Sequence, residues 1–134
     1  MPFRVNHIHL KSPNPHETAN WYVRAFNFRI VSDTTRPEPF SDRFIRCMSE
    51  DGGMSFAISG ATTGQSLGSG DAQPHHGLEH FGLDSGNLER DIARLHGLGA
   101  ELMDGPKDAG NGLRIAFIKA PDDVRIELIE VPGA

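Results

Sequence analysis

Three residues far apart in the chain, His7, His80 and Glu127, carry the chemistry of a metal site. Two imidazoles and a carboxylate hold a divalent ion through three protein atoms. They leave roughly two to three coordination positions for substrate, water or dioxygen. Such an open donor set favours Fe(II) or Mn(II); Zn(II), Ni(II) and Co(II) also fit the donor types. The ion would polarise a substrate oxygen or bind dioxygen beside it. His9, two residues after His7, is a candidate general base because imidazole titrates near neutrality. Its alternative is a cleft-lining histidine bonded to a neighbour. Arg125, two residues before Glu127, is a candidate anchor for an anionic substrate through paired N–H donors. Its alternative is an ion pair with a nearby carboxylate.

These residues need elements to position them. Residues 4–11 suit a strand, and Asn14 with Pro15 opens a helix over 16–26, where Ala19, Tyr22, Val23 and Phe26 share one face. A short apolar stretch, 28–31, leads into a polar loop. Residues 43–49 and 54–59 read as strands joined by the turn Asp51-Gly52-Gly53. Residues 60–77 hold five glycines and little to bury, which predicts a flexible connector. The pattern then restarts: a strand over 78–84, a helix over 87–98 stopped by Gly99, and an extended stretch over 100–103. A loop over 104–112 and strands over 113–119 and 124–130 complete it.

The two halves superpose as sequences. His7 matches His80 at a shift of 80 − 7 = 73, the helices match at 72, and the closing hairpins match at 70, pairing Ile45 with Ile115. Internal similarity of this kind dictates architecture. The expected fold is therefore α+β: two βαβββ modules, 1–59 and 78–134, forming a metal-binding cleft. The repeat places Glu127 opposite residue 57, which is alanine, so a four-membered ring of His7, Ala57, His80 and Glu127 carries three good ligands. Strand parity puts Ile8, Leu10, Ile126 and Leu128 under the helices and His7, His9, Arg125 and Glu127 on the other face. A polar side chain within a strand costs free energy unless it is paired or metal-bound.

Other reactive residue types have plainer expectations. His75 and His76 sit on the connector, His16 and His96 on helix surfaces, and Trp21, Tyr22 and Cys47 in the core. Arg46 and Arg114 are further arginines that could clamp an anion, although parity turns only Arg125 to the cleft. The chain has 134 residues, 37% hydrophobic and 23% charged, enough for a core without staples. Thirteen basic against eighteen acidic residues give a net charge of −5, which argues against nucleic acid or an anionic membrane as partner. One cysteine excludes an internal disulfide. No run of roughly 18 apolar residues and no signal peptide are visible, so a cytoplasmic protein is expected.

The residues Asn6-His7-Ile8-His9-Leu10 with Trp21-Tyr22, Leu78-Glu79-His80-Phe81-Gly82-Leu83, and Pro121-Asp122-Asp123-Val124-Arg125-Ile126-Glu127 near the end resemble the vicinal oxygen chelate superfamily. That group holds glyoxalase I, methylmalonyl-CoA epimerase, extradiol dioxygenases, fosfomycin-resistance enzymes and bleomycin-resistance proteins. The resemblance implies a metal-dependent enzyme acting on a small substrate with vicinal oxygens, and a homodimer. Glyoxalase I and the epimerases place a Glu or Gln where this chain has Ala57. The three-ligand set is instead similar to that of the extradiol dioxygenases and the fosfomycin-modifying enzymes. Extradiol chemistry is therefore the first expectation. Lyase or isomerase chemistry of the glyoxalase I or epimerase type is the second, and sequestration of a drug or metabolite without turnover is the third.

Overall fold

Proline at the start of a helix loses no hydrogen bond, because the first N–H groups have no partner within the helix. Pro15 uses this to open α1 (Pro15–Phe26) directly after β1 (Ile8–Lys11). Asn14 precedes it as expected, but its side chain does not cap the helix. Ser12 organises the entry instead: its Oγ accepts from the Asn14 backbone N–H at 3.0 Å and bonds Thr18 Oγ1 at 2.7 Å. The helix ends where Asn27 turns left-handed at φ 56°. β2 (Arg29–Thr35), β3 (Arg43–Met48) and β4 (Ser55–Ser59) follow, and the first sheet runs β1-β4-β3-β2 with only β1 and β4 parallel. The buried Tyr22 stacks on Phe28 at 5.5 Å, and Phe28 meets Phe56 at 4.8 Å. Ile45, Cys47 and Ile58 complete this core. Burial pushes the Cys47 thiol up to about 11, so it serves as an inert core residue.

The computed structural model describes residues 1–131, and the last three residues of the expected second module lie outside them. The second half repeats the first: β5 (Phe81–Asp84), α2 (Leu88–Gly97), β6 (Glu101–Gly110), β7 (Leu113–Ala120), a 3₁₀ turn (Pro121–Asp123) and β8 (Val124–Glu130). Its sheet runs β5-β8-β7-β6. Ser85 repeats the role of Ser12 at the same shift of 85 − 12 = 73, accepting from the Asn87 backbone N–H at 3.2 Å. Here the Asn87 side chain does cap, accepting from the Arg90 N–H at 3.0 Å. Leu88, Leu95, Ile118, Ile126 and Leu128 form an aliphatic core.

Strand register tests the repeat directly. Ile8 pairs with Phe56 and Phe81 with Ile126, so the shifts of 73 and 70 hold for these four strands. The central strands need one correction. Arg46 pairs with Ala57, whereas Phe117 pairs with Glu127, a shift of 117 − 46 = 71. Ile45 therefore corresponds to Ala116, not Ile115, and both Ile45 and Ala116 are fully buried. A shorter second turn absorbs the difference.

Two edge strands are longer than the sequence suggests. β2 continues through the polar Ser32–Thr35, because an edge strand with an exposed face needs no apolar alternation. β6 runs on to Gly110, through residues expected to be a loop. Gly105 and Pro106 are accommodated at register breaks, as edge strands allow. A Cβ on Gly105 would stand 2.6 Å from the Ile115 carbonyl oxygen, and its φ is +89°, so only glycine fits. β1 and β5 are shorter than expected, and His7 and His80 lie at or just before their first residues.

The chain divides into two units, residues 1–68 and 69–134. The latter part of the expected connector thus belongs to the second unit, and it is tied there. Ala72 is buried and its carbonyl accepts from Arg125 Nη1 at 2.9 Å. His75 Nδ1 donates to the Gln73 carbonyl at 2.7 Å and Nε2 to the Leu78 carbonyl at 3.1 Å. Two carbonyl acceptors require both ring nitrogens to carry protons, which is the imidazolium form. The bond to Gln73, with that to Leu78, raises the His75 pKa above its ordinary 6.5. A raised pKa adds stability that is complete below about 6.5 and lost as pH rises through the folded value. Unfolding at pH 5.5 and pH 8 should therefore show a larger acid-side gain in the wild type than in a His75→Gln variant. Equal gains would show that the staple contributes nothing.

Candidate metal centre and the open sheet faces

Two of the three expected metal ligands meet in the second unit. β5 and β8 run parallel, and Gly82 pairs with Glu127. This sets the Glu127 carboxylate beside His80, with Nε2 and Oε1 3.5 Å apart. The other ring nitrogen of His80 donates to Glu79 Oε1 at 2.8 Å. A carboxylate on Nδ1 fixes both the tautomer and the ring plane, so that Nε2 is presented to a ligand. Glu79 is in turn held below the usual carboxylate range, first by the hydrogen bond from His80 and less strongly by Arg125. Phe117 packs edge-on to the His80 ring at 5.1 Å. Both His80 and Glu127 remain partly exposed, as ligands for an incoming ion must be.

Arg125 lies on the expected face of β8 but is almost fully buried, at 6% exposure. Its guanidinium stacks on Phe117 at 4.0 Å, donates to Ala72, and has Nε 3.3 Å from Glu79 Oε1. Its donors are thus turned inward, towards the connector and the residue that orients His80.

The open face of the first sheet carries the remaining candidates. His7 is exposed, and its Nδ1 pairs with Asn6 Oδ1 at 2.8 Å. His9 pairs across strands with Ala57 and bonds Ser59 Oγ through Nε2 at 2.8 Å. Lys11 donates to the same hydroxyl at 2.9 Å. Ser59 therefore accepts from Lys11 and donates to His9, which places the His9 proton on Nδ1. Burial, and then the charge of Lys11, lower the His9 pKa and keep the ring neutral near pH 7. The cross-strand pairs His9–Ala57 and Gly82–Glu127 are equivalent in the repeat. Each sets a working side chain beside a minimal one. A Cβ on Gly82 would approach Glu127 Oε1 to 3.6 Å.

Among the described residues no three His, Cys, Asp or Glu side chains come together to hold a metal ion. His80 and Glu127 are brought together in one unit, and His7 belongs to the other. The sequence reading gave no role to Glu79, although it sits next to a candidate ligand. Arg46, a further candidate anion clamp that parity did not turn to the cleft, shares a face with Phe44 through the register of β3 on β4, and Phe44 had no expected role. Arg114 pairs with Glu89 and Glu130 and is accounted for structurally. Trp21, Tyr22 and Cys47 are core residues, as expected.

Paired βαβββ modules with histidine and carboxylate on the open strand faces define the class to which this chain belongs. The sequence profile of the Glyoxalase/Bleomycin resistance protein/Dioxygenase superfamily matches residues 4–128, and the chain is a member of that superfamily. Solved structures agree on the fold. A glyoxalase family protein from Bacillus cereus aligns with a TM-score of 0.81 at 14% identity, covering 97% of this chain and 95% of that one. One from Enterococcus faecalis gives 0.74 at 24% identity, covering 95% and 97%. The fosfomycin resistance protein FosX from Listeria monocytogenes, complexed with Mn(II) and sulfate, gives 0.71 at 14% identity, covering 99% and 96%. No curated protein matches the sequence. Among the described residues no helix is long and apolar enough to cross a membrane.

Proposed function

We propose that this chain is a metal-dependent enzyme acting on a small substrate with adjacent oxygens, by dioxygenase chemistry of the extradiol type. His80, Glu127 and His7 are its metal donors, in a homodimer. The observation that carries this reading is the string from Glu79 through His80 to Glu127, with its 2.8 Å and 3.5 Å separations. Imidazoles that serve metals are commonly held this way, whereas a histidine on a solvated sheet face needs no such support. His80 and Glu127 therefore offer a divalent ion two suitable donors, with His7 as the proposed third, Fe(II) or Mn(II) first; the FosX relative was crystallised with Mn(II). Bound there, the ion would hold the substrate's adjacent oxygens and leave a position for dioxygen. The chain's own side chains do the rest. Glu79 and Arg125 keep the His80 ring in place. His9 would take the proton of a substrate hydroxyl by way of Ser59, whose hydroxyl passes its own proton to Nε2 and receives the substrate's.

The neutral His9 beside Ala57 also favours a second reading, lyase or isomerase chemistry of the glyoxalase I or epimerase type. There His9 would take the place of the carboxylate missing at residue 57. Oxygen uptake by Fe(II)-loaded protein supplied with catechols separates the two. Uptake with ring cleavage is expected. Oxygen-independent turnover of a hemithioacetal or an acyl-CoA would select the second reading. No affinity for Fe, Mn, Zn or Ni would end both and leave a sequestering protein.

A further inference from the structure

The open face of the first sheet is more cationic than a chain of net charge −5 leads one to expect. Phe44, Ala57 and Ser59 share this face with His9 through the registers Phe44–Ser59 and His9–Ala57. Arg46 pairs with Ala57 and so points the same way. Its guanidinium lies 5.9 Å from the Phe44 ring centroid, and that of Arg36 lies 4.7 Å from the same ring. Lys11 reaches the face through Ser59.

The carboxylate close to these cations, Asp42, is already committed. It is buried, and Arg36 grips it with two hydrogen bonds of 2.6 and 2.7 Å. Arg36, Arg43, Arg90, Arg114 and Arg125 each sit against a carboxylate. Arg46 has none among the described residues, and it is exposed. Lys11 donates to Ser59 Oγ and the Gly60 carbonyl, and its ammonium also lies 3.9 Å from Asp42 Oδ2, so it adds positive charge to this face. A guanidinium beside an apolar ring, backed by two further cations against one carboxylate, is the environment that selects an oxyanion.

We infer that the substrate carries an oxyanion, a carboxylate or phosphonate, and that Arg46 is its anchor beside Phe44, with the charge of Lys11 close by. This rests on the reading of the chain as a metal-dependent enzyme and adds the class of its substrate. It moves the anion-binding role expected of Arg125 to Arg46, whose donors face outward.

Calorimetric titration of the protein with benzoate, phenylphosphonate and neutral benzamide tests it, with Mn(II) affinity measured on the same preparations. The two anions should bind at least about tenfold tighter than benzamide, and tighter in 50 mM than in 500 mM NaCl. The stronger of the two names the oxyanion. Arg46→Gln should cost about tenfold in anion affinity, while Arg46→Lys retains part of it. Mn(II) affinity should stay at the wild-type value in both variants, which also reports that they are folded. Benzamide binding as tightly as benzoate, or Arg46→Gln binding benzoate like the wild type, overturns the inference. Failure of the wild type to bind any divalent metal overturns the enzyme reading instead and leaves the anion result standing.

Discussion

Replacing Glu127 with Gln is expected to abolish metal binding while leaving the fold intact. Gln keeps the length and planarity of Glu127, so its contacts with β5 and with Gly82 persist. What it loses is the anionic oxygen 3.5 Å from His80 Nε2. A hard divalent ion prefers carboxylate to a neutral amide, because the charge offsets the loss of the ion's hydration shell. Loss of an outer partner typically costs roughly 10–100-fold in metal affinity, and loss of a direct ligand should exceed that range. Titration with Mn(II), alongside urea unfolding, reads both quantities. Unchanged affinity would remove Glu127 from the site.

Arg125→Met should weaken both stability and metal affinity. Met fills much of the volume over Phe117 but leaves the Ala72 carbonyl without its donor and Glu79 without the neighbouring positive charge. Breaking a buried charged contact from one side costs about 3 kcal/mol. Releasing Glu79 lets the His80 ring rotate away from Glu127, so metal affinity should fall roughly tenfold, the lower end for an outer partner. Arg125→Lys should not restore either property, because one ammonium cannot stack on Phe117 and reach both acceptors. A Met variant with full metal affinity but low stability would make Arg125 a purely structural residue.

The degree to which this fold was legible in the sequence depended on burial. Strands that pack under a helix alternate or run apolar, as β4 and β8 do, and their boundaries were read almost to the residue. Edge strands hide, because Ser32–Thr35 and the Gly105-Pro106 stretch look like loops when neither alternation nor core residues mark them. The repeat singled out His7, His80 and Glu127 as candidates, and strand register bears out its matching of Ala57 with Glu127. The repeat erred by one residue on β7, because turns of unequal length shift the register there while the flanking strands stay aligned. That single step moves Ile115 from the core to the open face and hides the equivalence of Arg46 with Phe117. Glu79 escaped notice for another reason. Neighbours in a strand point to opposite faces, and Glu79 reaches His80 only because both precede the first residue of β5. The tie on the latter part of the connector, from Arg125 to the Ala72 carbonyl, comes from about fifty residues away and leaves no local signal. A Cβ on Gly70 would stand 2.3 Å from the Asp122 carbonyl oxygen, so that glycine serves close packing there.

Pulsed electron paramagnetic resonance of the Mn(II)-loaded protein, labelled with ¹⁵N-histidine, counts the coordinating imidazoles directly. Two are predicted for the wild type, and one for each of His7→Ala and His80→Ala. A spectrum without imidazole coupling, or a count that His7→Ala leaves unchanged, would contradict the metal centre of His7, His80 and Glu127.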